Sequence, residues 1–282
     1  MNGIEVRKHM EVRRHGGGCG AEVLGLDLRT LDAAQMAAVR RAYADHGVIF
    51  FRDQSLTEDD HIAFAKRFGE IDINKFFPHI EGFSEIAEVK KEKEQKTNIG
   101  GGWHTDHSYD QIPAMGSILV ARVLPPEGGD TLFADMVAAY DALDDETRRG
   151  IADLRAVHSN AHVFGSKAYY DNPERKQFAN DEAIGKAVHP VVITHPLSGR
   201  KALYVNPGFT VGIEGWPREE GRALLHKLFA HAMKPQFHCR FQWRPGSVAF
   251  WDNRATWHFA LNDYHGEERL MHRITVKGVA LN

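Results

Sequence analysis

The stretch Ser247-Val-Ala-Phe-Trp-Asp-Asn-Arg-Ala-Thr-Trp-His258 decides how the chain is read. Its first half, residues 247–251, is a short run of β-branched and aromatic residues that stops at a polar turn. Such a run reads as a buried strand. Strand signals of the same kind occupy residues 48–51, 117–123, 188–194, 201–205, 237–243 and 270–279. Helical spacing is confined to a few segments. Residues 32–46 place Leu31, Ala34, Ala38 and Ala42 in register, and Gly47 stops the helix. Residues 57–68 open with Thr57-x-x-Asp60, a capping-box variant, and end at Gly69. Residues 217–233 carry proline at the first turn and apolar Leu224, Leu225, Leu228 and Phe229. A shorter helix is expected over residues 136–153. Strands and helices do not alternate regularly, so a parallel sheet is disfavoured. The pattern predicts a β-rich α+β fold, an antiparallel barrel or jelly roll with helices packed outside.

Composition bounds the rest. The chain has 282 residues, 43% hydrophobic and 26% charged, the balance of a globular protein and not of a disordered one. No apolar run reaches membrane-span length, so no membrane partner is expected. The first residues lack the apolar core of a secretory signal, and two cysteines cannot make a disulfide framework; a cytoplasmic setting is the resulting expectation. A net charge of −3 argues against a nucleic-acid partner. No repeat or linker divides the chain, so residues 1–282 are expected to form a single domain. The strongest charge run, Lys90-Lys-Glu-Lys-Glu-Gln-Lys96, leads into Thr97-Asn-Ile-Gly-Gly-Gly102. It reads as a solvated loop or as a lid over the Trp103–Tyr109 segment, placed around residues 75–102.

Histidine is abundant, at 17 residues, and invites a search for metal chemistry. Gly16-Gly-Gly-Cys-Gly-Ala21 has the letters of a dinucleotide loop, but an extended-looking segment follows it where a helix is needed. A His-x-acid doublet on a strand turns both side chains to one face. It occurs as His9/Glu11, His79/Glu81, His104/Asp106 and His265/Glu267. Context selects His104/Asp106, which leaves the triple glycine in Gly100-Gly-Gly-Trp-His-Thr-Asp-His-Ser-Tyr109. His258 offers a third ligand from a distant strand, or is a satisfied core histidine. Two histidines and a carboxylate on one octahedral face are the arrangement of non-haem Fe(II) oxygenases. In Arg269-Leu-Met-His-Arg273 both arginines share one strand face. They read as a solvated surface or as a pair of inward anion clamps.

At these residues the chain resembles the taurine dioxygenase (TauD/TfdA) family of Fe(II)/2-oxoglutarate-dependent dioxygenases. Trp103-His-Thr-Asp106, Gly128-Gly-Asp-Thr131, Trp251-Asp-Asn-Arg254, His258 and Arg269-Leu-Met-His-Arg273 keep the family's order, as do Leu154-Arg-Ala-x-His158, Thr194-His-Pro196 and Tyr204-Val-Asn206. The resemblance implies a double-stranded β-helix (jelly-roll) core with flanking α-helices. It implies that His104, Asp106 and His258 hold Fe(II), and that Arg269 and Thr131 bind the co-substrate 2-oxoglutarate, with O2 as the second co-substrate. Arg273 is then expected on the anionic group of a small organic substrate, with Asn74, Phe77, His107, Phe164 and Phe209 around it. The implied reaction is hydroxylation of an aryloxyalkanoate-like carboxylate, an alkyl sulfate or a sulfonate, with collapse of the product to a carbonyl where the carbon bears a leaving group. Taurine itself, or an amino acid, is the alternative substrate. Asn74, Phe77 and Gly100 stand where taurine enzymes have histidine, tyrosine and asparagine, which favours a larger or more apolar substrate. Relatives of this kind are commonly homo-oligomers, so a dimer or tetramer is expected.

Overall fold

The structure, a computed structural model, describes residues 10–16, 18–169 and 173–281. A nine-stranded sheet runs in the order Glu11–Arg14, Ala21–Leu24, Val48–Phe51, Val248–Asp252, Gly116–Val123, Arg269–Val276, Phe83–Lys91 and His79–Ile80, with Ile71–Asp72 added against Arg269–Val276. Its pairings are antiparallel except where Ala21–Leu24 meets Val48–Phe51. A three-stranded sheet, His238–Phe241, Thr131–Asp135 and Thr256–Ala260, contributes Phe133, Cys239 and Phe241 to one core with Val48, Phe50, Leu119, Trp251 and Met271 of the large sheet.

Val48–Phe51 shows why these residues make a buried strand. All four are buried because both faces of the sheet are covered. Val48 and Phe50 enter the core between the sheets, where Phe50 stacks on Phe241 with ring centroids 4.1 Å apart. Ile49 and Phe51 point the other way, against Met36, Val39 and Tyr43 of the helix Ala33–His46 and Ile62 and Phe64 of the helix Glu58–Lys66. Truncating Phe50 to alanine would leave a cavity costing about 3–5 kcal/mol. Both outer helices start as their sequences dictate. Asp32 and Thr57 accept from the backbone N–H three residues on, and Gln35 and Asp60 answer, each cap contributing about 1 kcal/mol. A third helix, Arg218–Ala232, begins one residue after Pro217 and buries Leu225, Leu228 and Phe229.

Several expectations are corrected. Residues 136–153 are not one helix but two, Met136–Asp141 and Asp145–Ile151, because the Asp144 carboxylate accepts from Thr147 N–H and starts a new helix. Residues 188–194 split at Val191 into Lys186–Pro190, paired with Arg155–Ser159, and Val192–Thr194, paired with Lys201–Leu203. The strand expected over 270–279 ends at Val276, and that over 237–243 shortens to His238–Phe241. Phe83–Lys91, Thr131–Asp135 and Thr256–Ala260 are strands that periodicity did not mark. The charge run is therefore not wholly a loop, since Lys90 and Lys91 close the strand Phe83–Lys91. The strand Ala21–Leu24, not a helix, directly follows the glycine-rich 16–21 segment, which therefore lacks the strand–loop–helix setting of a dinucleotide loop; its Gly17, like His9, lies outside the described residues. No helix among the described residues is long and apolar enough to cross a membrane.

Candidate metal centre and substrate cavity

The mouth of the two sheets brings His104, Asp106 and His258 together, with one ligand atom from each lying within 4.8 Å of the others. His258 stands on Thr256–Ala260. His104 is paired to it by an isolated two-bond bridge: His104 N–H donates to His258 O at 3.1 Å, and His258 N–H to His104 O at 2.8 Å. The doublet is not on a strand, contrary to expectation. After His104 the chain turns, and His107 adopts φ 60°, so that it can enter Gly116–Val123. Thr105, between the two ligands, donates its hydroxyl to Asn253 O at 2.5 Å. This ties the turn to the Trp251-Asp-Asn-Arg254 segment.

Electrostatics suit a cation. His104 Nδ1 lies 2.7 Å from Gly102 O, which makes it the protonated nitrogen and leaves the Nε2 lone pair facing Asp106 Oδ1 at 3.7 Å. His258 Nε2 lies 3.8 Å from Asp106 Oδ2. Burial pushes Asp106 towards the neutral acid, but Arg273 and the histidines outweigh it and hold the carboxyl well below its usual range. Burial, followed by His104, keeps His258 neutral. Two imidazole lone pairs and one carboxylate, none bonded to another, match the donor set of a divalent transition metal. His258 Nδ1 is buried without a partner. The other doublets assemble no such set among the described residues. Asp72, His107 and Asp110 form a second cluster, in which His107 Nδ1 is already bonded to Asp110 at 2.8 Å.

A cavity of about 310 Å³ opens on His104 and Asp106. Phe76, Phe77, Tyr109, Phe164, Phe178 and Phe209 wall it as one apolar cluster, and Ile99 to Gly102 close one side. Phe164 stacks on Phe76 at 4.1 Å, and Phe209 stands edge-on to His104 at 6.1 Å. Arg273 lines the cavity, 9% exposed, with its guanidinium 4.9 Å over Phe77 and Nη1 3.4 Å from Asp106 Oδ2. His107 and Asn74 also line it, but Asn74 Oδ1 is taken by Phe76 N–H and Phe77 N–H, so this side chain braces its own turn. Asn206 is likewise spent, accepting from Phe209 N–H and donating to Ser108.

Both arginines are interior, which decides against the solvated-surface reading. The pleat of Arg269–Val276 sends Arg269, Met271 and Arg273 to one side, and Ile274 to the helix-facing core. Arg269 is 6% exposed, its Nε and Nη2 have no partner, and its guanidinium lies 5.6 Å over the Trp243 ring. Thr131 Oγ1 accepts from Trp243 Nε1 at 3.0 Å. Arg269 and Thr131 do not line the aromatic cavity. Phe76, Tyr109, Phe178 and Trp243 belong to the site and were not singled out from sequence. An isolated aromatic carries no local signal of which wall it joins.

A fold of this kind with a His-Asp-His cluster beside buried cations defines a non-haem metal enzyme class. Residues 11–275 match the taurine catabolism dioxygenase TauD, TfdA family, and the chain belongs to that family. It is 34% identical to an alpha-ketoglutarate-dependent sulfate ester dioxygenase of Pseudomonas putida, over 95% of this chain and 90% of that one. It is 32% identical to an (S)-phenoxypropionate/alpha-ketoglutarate-dioxygenase of Sphingobium herbicidovorans, over 92% of each. Among solved structures, a taurine dioxygenase from Burkholderia xenovorans superposes with a TM-score of 0.80 at 35% identity, covering 96% of this chain and 92% of that one. AAD-2, solved with Mn(II) and N-oxalylglycine, gives 0.79 at 34% identity, covering 96% and 98%.

Proposed function

We propose that this chain is an Fe(II)- and 2-oxoglutarate-dependent dioxygenase that hydroxylates a small anionic organic substrate with an apolar body. The observation that carries the reading is the convergence of His104, Asp106 and His258 beside a cavity that His104, Asp106 and Arg273 line. In this reading those three residues hold Fe(II) within a double-stranded β-helix core. When bound, the iron and 2-oxoglutarate supply the oxidation that consumes O2, converts the oxoacid to succinate and CO2, and places oxygen on a substrate C–H carbon.

The protein's part is placement. Arg269 and the Thr131 hydroxyl take the far carboxylate of 2-oxoglutarate. Arg273, released from Asp106, pairs with the substrate's carboxylate, sulfate or sulfonate, to which a guanidinium can donate twice. The aromatic wall of Phe77, Phe164 and Phe209 holds the apolar body and excludes water, which strengthens that charge pair. Residues 92–102 act as the lid. The pins that hold it are Glu174, which accepts from Lys96 N–H, Thr97 N–H and the Thr97 hydroxyl, and the Asn98 amide, which donates to Ala260 O.

The test is an anaerobic titration of apoprotein with Fe(II) and 2-oxoglutarate, watched in the visible. A weak charge-transfer band is expected, and it should shift on addition of only one among taurine, an alkyl sulfate and an aryloxypropionate. Folded protein that develops no band would overturn the reading.

A further inference from the structure

One lysine of the charge run is inside the molecule. The strand Phe83–Lys91 alternates, so Lys90 and Lys91 leave on opposite faces. Lys90 goes out, to ion pairs with Glu92 at 2.8 Å and Glu268 at 3.5 Å. Lys91 goes in, to 3% exposure. It stands directly opposite Arg269 in the antiparallel ladder, one same-face pair along from Val89–Met271 in the core. Directly opposed residues send their side chains to the same face as neighbours.

Neither cation is neutralised. Lys91 Nζ donates to Tyr264 O at 3.3 Å and lies 4.3 Å from the Tyr264 ring, and among the described residues no carboxylate is within 4.0 Å of it. Among the described residues, Arg269 Nε and Nη2 have no hydrogen-bond partner. The carboxylate that acts on Arg269 belongs to Asp130, which is bonded to Arg240 at 2.6 Å. Two buried cations on directly opposed residues without an anion are an expensive arrangement. Thr131, whose oxygen accepts from Trp243, keeps its hydroxyl proton to donate. The partner these donors lack is an anion.

We propose that Lys91 is a second cationic ligand for the far carboxylate of 2-oxoglutarate, acting with Arg269 and Thr131. The inference rests on the proposed function and adds a residue to its co-substrate site. Ammonium and guanidinium supply donors from two directions, so the site selects an oxoacid with a second carboxylate over one with a neutral tail.

The test compares wild type, Lys91→Met, Lys91→Arg and Arg269→Gln as Mn(II)-loaded protein without O2. Calorimetry and thermal shift are read with 2-oxoglutarate and with 2-oxopentanoate, which lacks the far carboxylate. Lys91→Met should weaken 2-oxoglutarate at least about 10-fold. Its affinity for 2-oxopentanoate should stay within about twofold of wild type, and its ligand-free melting temperature should hold or rise, since an unpaired buried charge is removed. Lys91→Arg should keep the preference for 2-oxoglutarate, and carries the comparison should the methionine variant not fold. If Arg269→Gln loses 2-oxoglutarate while Lys91→Met keeps it and melts lower, Lys91 only braces Tyr264 and the proposal falls. If wild type itself does not prefer 2-oxoglutarate, the failure lies in the proposed function.

Discussion

The two halves of the candidate site are built differently. The floor proposed to take metal and oxoacid is made by strands and by one turn tied to them. Thr131 and His258 stand on neighbouring strands of the small sheet, Arg269 and Lys91 on neighbouring strands of the large one, and His104 and Asp106 on the turn bridged to His258. The aromatic cavity is made largely by connections: the 74–77 turn, the 92–102 segment, the short helix Ala161–Phe164, the 3-10 turn ending at Phe178 and the 207–209 turn. A ladder fixes a side chain through its neighbours' hydrogen bonds, whereas a turn can be rebuilt without disturbing the sheet. Relatives of similar identity carry names with different substrates, a sulfate ester in one and a phenoxypropionate in another. That is the outcome expected when the proposed chemistry sits on the strands and the one turn bridged to them, and selectivity on the other loops.

The contrast can be broken most severely from below. Asp106→Ala should reduce metal affinity and metal-dependent succinate formation by more than about 100-fold, since even outer partners of a metal cost about 10–100-fold. Calorimetry with Mn(II) and a succinate assay check it, and wild-type turnover would remove the metal assignment. Next come the arginines. Arg269→Gln should raise the dissociation constant of 2-oxoglutarate about 100-fold, and Arg273→Gln should raise the substrate KM by about 30-fold with 2-oxoglutarate binding nearly unchanged. Equal losses of 2-oxoglutarate in both variants would erase the division between floor and cavity.

A smaller effect tests the wall. Phe164→Ala should change the ratio of kcat/KM between a bulky and a small substrate by about 10-fold and leave metal binding intact. A variant that lost metal instead would show that the loops support the floor.

The smallest effect concerns acid stability. Burial holds His61 neutral, its pKa pushed down to about 3, with Arg122 and His272 adding to the shift. Burial also lowers His272 to about 4 and His158 to about 3. The unfolded chain takes up protons below 6.5 and the folded chain does not. The stability contributed by these groups is therefore complete above pH 6.5 and is lost as pH falls towards 4, each costing up to about 1.4 kcal/mol per pH unit. His61 is fully buried and its shift is dominated by that burial, so His61→Leu should flatten the fall of melting temperature between about pH 7 and 5. An unchanged slope would locate the titration elsewhere.

Much of the floor was legible because its signals are local and short. The doublet His104/Asp106, the turn before His258 and the spacing of Arg269 and Arg273 are patterns of a few residues, and their order along the chain carried the family resemblance that implied their roles. The capping boxes at Asp32 and Thr57 were legible for the same reason. The features that escaped were the charge-bearing strand Phe83–Lys91, the short strands Thr131–Asp135 and Thr256–Ala260, and the kink at Asp144, where a side-chain cap overrode helical spacing.

The sequence by itself determined the outer helices and the shared face of the two arginines, because periodicity and residue type act over one or two turns of chain, and the order of its motifs carried the family resemblance that implied the class of chemistry. Only the tertiary structure decided which face was inside. It buried Arg269 and Arg273, turned Lys91 inward while its neighbour Lys90 met solvent, and gathered Phe76, Phe164 and Phe209 into one wall. Those outcomes depend on which strands and loops lie across from one another, and that pairing is a property of the whole fold.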